Sequence, residues 1–217
     1  MKAFFLAAAF GLALAASAAA QPFKMPPPPS AESMGSVFTP PPEAKVTLQT
    51  TAGDIVIQLE SKKAPRTVAN FLRYAKAGYY DNIRIYRADP GFLIQMGDVL
   101  ADGANRFPLY RPIRLETDNG LRHVRGSLAL AHADSDPNSG DSTFYINLAA
   151  NPSLDPKPGA KPNTTGYAVF GRVIAGMAVA DKIAAAPRRP KSAGGSFPGQ
   201  EPVKPVVVKK TIVVEQK

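Results

Sequence analysis

The 217-residue chain contains no cysteine, no tryptophan and only two histidines, His123 and His132. Without cysteine, the protein cannot form disulfides, use a thiolate nucleophile or build a cysteine-based zinc site. The sequence also lacks the G-x-S-x-G nucleophile turn of serine hydrolases and the H-E-x-x-H helix motif of zinc proteases. These absences argue against the common hydrolytic enzymes, and no residue pattern predicts a metal site.

Acidic residues are too few to balance the basic ones, and the formal net charge is +9. Such an excess can indicate a nucleic-acid-binding protein. The basic residues are scattered, however, and neither an arginine-rich helix nor an aromatic RNA-binding signature accompanies them. We therefore interpret the charge as a solvated basic surface and expect no nucleic-acid partner.

Long apolar runs are confined to the N-terminus. Lys2 precedes the apolar stretch Phe4–Ala16, and small residues that suit cleavage follow as far as Ala20. This pattern is typical of a secretory signal peptide, and the run is short for a transmembrane helix of about 20 residues. We predict a signal peptide at residues 1–20, with no membrane-spanning segment left after its cleavage.

Prolines are abundant, 22 in all, and they are clustered. Two clusters, Pro26–Pro29 and Pro40–Pro42, lie in a stretch without apolar periodicity, which predicts an extended and flexible arm at residues 21–43. We interpret this arm as a spacer, the alternative being a ligand for a proline-binding partner. The folded domain is then residues 44–217, and a Pro-, Gly- and Lys-rich segment, Pro187–Pro205, is predicted to form a loop within it.

Alternating or β-branched segments dominate the domain, and two segments have helical periodicity. The predicted helices are Ala64–Lys76, where Pro65 suits the first turn, and Met177–Ala185. The predicted strands are Val46–Thr50, Ile55–Leu59, Ile83–Arg87, Phe92–Gly97, Ser127–Ala131, Thr143–Leu148, Ala168–Ile174 and Val206–Val214. Many strands with one early and one late helix favour a mainly β fold, a closed antiparallel eight-stranded barrel capped by two helices.

Five ordered blocks lie between Lys45 and Val214: APRTVANF at 64–71, IYRADPGFLIQMGD at 85–98, GSLALAHA at 126–133, STFYIN at 142–147 and GYAVFGRV at 166–173. Together these blocks resemble the cyclophilin family of peptidyl-prolyl cis-trans isomerases. The segment ETDNGL at 116–121 is similar to the exported bacterial branch in particular. The resemblance implies the cyclophilin-like barrel, an isomerase that needs no cofactor, and polypeptide substrates containing proline.

The resemblance also implies roles for individual residues. Rotation about an X-Pro bond must cross a barrier of about 20 kcal/mol set by amide resonance. An enzyme lowers that barrier by favouring a twisted amide, for which a fixed hydrogen-bond donor suffices. By resemblance, Arg87 is this donor and Gln95 helps to hold it, so both are expected to be catalytic. The substrate-binding residues are expected to be Phe92, Leu93, Ala131, His132, Thr143, Phe144, Leu154 and Tyr167.

Some positions depart from the frequent family pattern and keep an alternative open. Thr143 stands where the family often has glutamine, His132 where it often has asparagine, and Tyr167 where it often has histidine. Thr143 and the proline-rich arm leave room for a second hypothesis, a proline-binding chaperone or scaffold with weak catalysis. The first hypothesis is an isomerase, expected to be a monomer, that assists the folding of exported polypeptides in the periplasm, with full secretion as the alternative location.

Overall fold

The computed structural model describes residues 39–191 and 196–216, so the predicted signal peptide and most of the predicted arm lie outside the described residues. The elements in chain order are β1 (Glu43–Thr50), β2 (Gly53–Leu59), α1 (Pro65–Lys76), β3 (Ile83–Ile85), β4 (Arg87–Asp89), β5 (Leu93–Met96), β6 (Ser127–Leu130), β7 (Phe144–Asn147), β8 (Ala168–Ala175), α2 (Met177–Ala184) and β9 (Val206–Gln216). No helix among these residues is long and apolar enough to cross a membrane.

Within residues 39–191 and 196–216, nine strands form one antiparallel sheet in the order β3-β9-β1-β2-β8-β6-β7-β5-β4. The two outermost strands, β3 and β4, are consecutive along the chain and only Tyr86 separates them. The sheet therefore curls into a nearly closed barrel, which confirms the mainly β fold with two helices. The count of eight strands was wrong by one, because the predicted strand Ile83–Arg87 divides at Tyr86.

The first helix begins at Pro65, and the Glu116 carboxylate accepts hydrogen bonds from the backbone N–H groups of Arg66 and Thr67 (3.3 and 2.9 Å). A carboxylate there satisfies helix donors that have no partner within the helix and interacts favourably with the helix dipole. Ala64, the residue before the helix, has no side-chain group that could cap it. Glu116, which is distant in the sequence, caps the helix instead.

The core fills the barrel interior. Both helices contribute to it: α1 with Val68, Phe71 and Leu72, and α2 with Ala180 and Ile183. Phe71 is central, because its ring lies 5.1 Å from the rings of both Tyr80 and Phe144, within the range of favourable aromatic pairs.

Candidate active site

Strand register places one row of side chains on the outer face of the barrel. Arg87 of β4 is paired with Gln95 of β5, Gln95 with Tyr145 of β7, and Tyr145 with Ala129 of β6. Residues one position away point to the opposite face because side chains alternate along a strand. Accordingly Ala88, Ile94 and the other alternate residues belong to the interior core.

Along this outer row lies a groove of about 340 Å³. It brings together eight of the ten residues expected in the site, namely Arg87, Gln95, Phe92, Leu93, Ala131, His132, Leu154 and Tyr167. Leu93, Tyr145 and Ala129 form a small apolar cluster distinct from the main core, with Phe92 and Leu154 packed against it. The groove is therefore a pocket with apolar walls and a guanidinium at its edge.

Phe144, which was predicted to bind the substrate, does not line this groove. Its side chain is fully buried in the barrel interior, against Phe71 and Tyr80. The aromatic wall is provided instead by the next residue, Tyr145. The strand register explains why these two neighbours lie on opposite faces. Tyr145 is paired with Gln95 of the groove, whereas Phe144 is paired with the core residue Met96.

Thr143 lies in a second, adjacent cavity of about 520 Å³. Gln95, Ala131 and His132 line both cavities and form part of the boundary between them. Thr143 is thus a neighbour of the groove and not one of its lining residues. Its carbonyl oxygen accepts a hydrogen bond from the backbone N–H of Ala131 (2.9 Å), which fixes that part of the boundary.

Arg87 is half-buried, and its guanidinium is held from two sides. Nη1 donates to Oε1 of Gln95 (3.3 Å), and Nε donates to Oε1 of Gln200 (2.6 Å). Within the described chain, no hydrogen bond is formed by Nη2. Burial lowers the pKa of Arg87, but an arginine remains charged throughout the neutral range. The site therefore presents a fixed cation with a donor available for a ligand.

A buried hydrogen-bonded chain supports the floor of the groove. His123 Nδ1 lies 2.8 Å from Oδ1 of Asp155, and His123 Nε2 lies 3.0 Å from the hydroxyl of Tyr145. Since a carboxylate only accepts, Nδ1 donates to Asp155 and Nε2 accepts from Tyr145. Asp155 follows the wall residue Leu154 directly, so this chain ties the wall of the groove to its floor.

Tyr167 closes the far side of the groove. Its ring stacks on His132 with 4.4 Å between ring centroids, and its hydroxyl donates to Asp134 Oδ1 (2.8 Å). Burial and the neighbouring Asp134 carboxylate raise the pKa of Tyr167 to about 12. The hydroxyl is therefore neutral near pH 7 and acts as a donor.

Among the described residues, no cluster of histidine, aspartate and glutamate side chains could hold a metal ion. The sequence did not predict four residues that line the groove, Ala133, Asp134, Tyr145 and Phe197. It also did not predict Gln200, which bonds to Arg87. Phe197 and Gln200 come from the segment predicted as the loop Pro187–Pro205.

Comparison with known proteins identifies the family to which the chain belongs. Residues 45–213 match the family model for cyclophilin-type peptidyl-prolyl cis-trans isomerase/CLD. Peptidyl-prolyl cis-trans isomerase A of Dickeya dadantii is 41% identical over 138 residues, which cover 64% of this chain and 70% of that protein. A peptidyl-prolyl cis-trans isomerase of Streptomyces antibioticus is 40% identical over 164 residues, which cover 75% and 94%.

A solved cyclophilin-type isomerase of Cryptosporidium parvum has the same fold, with a TM-score of 0.62 at 23% identity. The match covers 81% of this chain and 99% of the solved one. The chain therefore belongs to the cyclophilin-type peptidyl-prolyl cis-trans isomerase family and is an enzyme of that class.

Proposed function

We propose that the protein isomerises X-Pro bonds of exported polypeptides by stabilising a twisted amide with Arg87 above the apolar groove. One observation supports this most strongly: a guanidinium held by Gln95 and Gln200 lies at the edge of a pocket walled by Phe92, Leu93 and Tyr145. The pocket would take the proline ring, and the cation would lie beside the amide nitrogen.

The chemistry follows from how the amide changes during rotation. In the planar amide the nitrogen lone pair is delocalised, and in the twisted amide it becomes localised and able to accept a hydrogen bond. A donor aimed at the nitrogen therefore stabilises the transition state more than the ground state, which is the condition for catalysis. Because the guanidinium is already oriented, little reorganisation is needed when the bond twists.

Two further features support the choice of substrate. The groove has the size and apolar lining of a small-molecule pocket, which suits a pyrrolidine ring. A second structure of the Cryptosporidium parvum cyclophilin, 24% identical to this chain, was determined in the presence of the dipeptide Ala-Pro. An Ala-Pro peptide is therefore the natural first substrate.

The test is a proline isomerisation assay with such a peptide on the wild type, Arg87→Ala and Arg87→Lys. We expect Arg87→Ala to lower kcat/KM by about 10²–10³, the scale of one lost preorganised donor. Arg87→Lys keeps the charge but loses the planar fork, so it should recover only part of the activity. A folded Arg87→Ala variant with the wild-type kcat/KM would overturn the proposed mechanism.

The cellular setting is part of the same proposal. The predicted signal peptide at residues 1–20 and the similarity of residues 116–121 to the exported bacterial branch support a periplasmic enzyme that assists folding. Cell fractionation followed by N-terminal sequencing tests this. A periplasmic chain that starts after Ala18 or Ala20 would support it, and a cytoplasmic chain that keeps Met1 would contradict it.

A further inference from the structure

The loop between α2 and β9 reaches across the edge of the barrel to the candidate active site. One part of this loop, Ser196–Glu201, lies beside β3 and β4. The backbone carbonyl of Gln200 accepts a hydrogen bond from the N–H of Ala88 in β4 (2.6 Å), and Glu201 forms an ion pair with Arg84 of β3 (2.9 Å). Both Arg84 and Glu201 are mostly buried, so the segment is fixed to the strand pair by its backbone and by a shielded charge pair.

The same segment contacts the guanidinium of Arg87 twice. Gln200 accepts from Nε at 2.6 Å, which is shorter than the 3.3 Å bond between Gln95 and Nη1. The ring of Phe197 lies 4.3 Å from Cζ of Arg87, closer than the ring of Phe92 at 5.3 Å. By both measures the loop contacts Arg87 more closely than Gln95 and Phe92, the two contacts from the predicted site.

Geometry shows why the Nε contact matters. Nε is the donor nearest to the flexible stem of the side chain, so a bond there fixes the direction in which the planar group points. Once Nε and one N–H of Nη1 are engaged, the second N–H of Nη1 and both N–H groups of Nη2 are left to donate to a substrate. Phe197 lines both the groove and the adjacent cavity, so the segment is also part of the wall that a bound peptide would meet.

We propose that Gln200 is a positioning residue of the enzyme: it holds Nε of Arg87, so that the guanidinium is oriented toward the substrate amide before the peptide binds. This inference rests on the proposed role of Arg87. Gln200 belongs to the same short segment as Phe197, whose backbone carbonyl accepts from the Gln200 N–H (3.0 Å). A side chain that follows a tight turn in this way is well placed to act as a fixed acceptor.

The main test is Gln200→Met, which keeps the length of the side chain and removes the amide oxygen. We expect kcat/KM on an Ala-Pro peptide to fall about tenfold, the low end for a lost hydrogen bond to a charged group, because Gln95 still holds Nη1. The loss should be in kcat, with KM within about twofold, since an interaction that serves the transition state affects kcat. Gln58→Met is the matched control: Gln58 also makes a side-chain hydrogen bond, to the Ala44 carbonyl (3.1 Å), but on β2 away from the groove.

Two readouts separate positioning from a general structural effect. In a double-mutant cycle, Gln200→Met should leave the residual activity of Arg87→Ala unchanged, because the two residues act as one unit. In the NMR spectrum, the Arg87 Nε–H proton should exchange faster with water in Gln200→Met than in the wild type or in Gln58→Met.

The results distinguish an error about the role of Arg87 from an error about the role of Gln200. If Arg87→Ala is fully active, the mechanism fails, whatever Gln200 does. If Arg87→Ala is impaired but Gln200→Met retains wild-type kcat and an unchanged Nε–H exchange rate, the positioning role is wrong. The positioning role is also wrong if Gln200→Met lowers the activity of the wild type and of Arg87→Ala by the same factor.

Discussion

Phe144 and Tyr145 are neighbours on β7 that lie on opposite faces of the barrel wall. Phe144 is fully buried among the rings of Phe71 and Tyr80, whereas Tyr145 lines the groove beside Arg87 and Leu93. The interior face is continuous and apolar, while the outer face combines apolar residues with a cation and a buried polar chain. One short strand therefore serves two purposes: its interior residues stabilise the fold and its outer residues form the site.

The largest expected effect tests the interior face. Phe144→Ala should lower the free energy of unfolding by about 3–5 kcal/mol, because it removes a buried ring from a packed aromatic cluster. Phe144→Ala protein that remains folded should keep kcat/KM within a few-fold of the wild-type value, since Phe144 does not reach the groove. Urea denaturation and the isomerase assay measure the two quantities, with Phe144→Leu as the milder control. A stable Phe144→Ala variant without activity would reverse the assignment of the two faces.

A smaller effect is expected on the outer face. Tyr145→Phe removes the hydroxyl that donates to His123 Nε2 (3.0 Å) and leaves that buried nitrogen without its partner. We expect a loss of about 1–3 kcal/mol in unfolding free energy, the usual cost of an unsatisfied buried polar group. The ring stays, so kcat/KM should change by less than about threefold. If stability does not change, the hydrogen-bonded chain does not support the groove.

The same polar chain predicts a pH dependence. Burial lowers the pKa of His123 below its ordinary value, although the hydrogen bond to Asp155 opposes the shift. Because the unfolded histidine then binds a proton more readily than the folded one, its contribution to stability is complete above about pH 6.5 and is lost as the pH falls below that value. The drop in the urea midpoint between pH 7.5 and pH 5 should be smaller in His123→Gln than in the wild type. An equal drop of the urea midpoint in both proteins would show that His123 does not cause the pH dependence.

The smallest effect is expected from the predicted arm, most of which lies outside the described residues. Deleting Gln21–Pro42 should leave turnover unchanged and shift Tm by less than about 5 °C, since a proline-rich stretch without apolar periodicity is expected to bury too little to stabilise the domain. Calorimetry on the mature and the truncated protein checks this. A larger decrease in Tm would show that the arm packs on the domain.

The sequence predicted the features whose patterns lie within a few neighbouring residues, and it did not predict contacts between distant residues. The barrel, both helices and eight residues of the groove follow from alternation, helical spacing and ordered motif blocks, all of which act over a few positions. Phe144 was predicted to line the pocket but lies on the interior face, because the motif block identifies the strand, whereas the face depends on register with β5. Gln200 could not be predicted at all: it lies 113 positions from Arg87, and nothing in a Pro- and Gly-rich loop indicates where it will pack.

Catalysis by Arg87 and binding by the groove can be measured together by NMR exchange spectroscopy on an Ala-Pro peptide. In Arg87→Ala we expect the catalysed cis-trans exchange rate to fall by about 10²–10³. Peptide affinity should stay within a few-fold of the wild-type value, because Phe92, Leu93 and Tyr145 still form the pocket. If the folded variant exchanged the peptide at the wild-type rate, Arg87 would not be the catalytic residue.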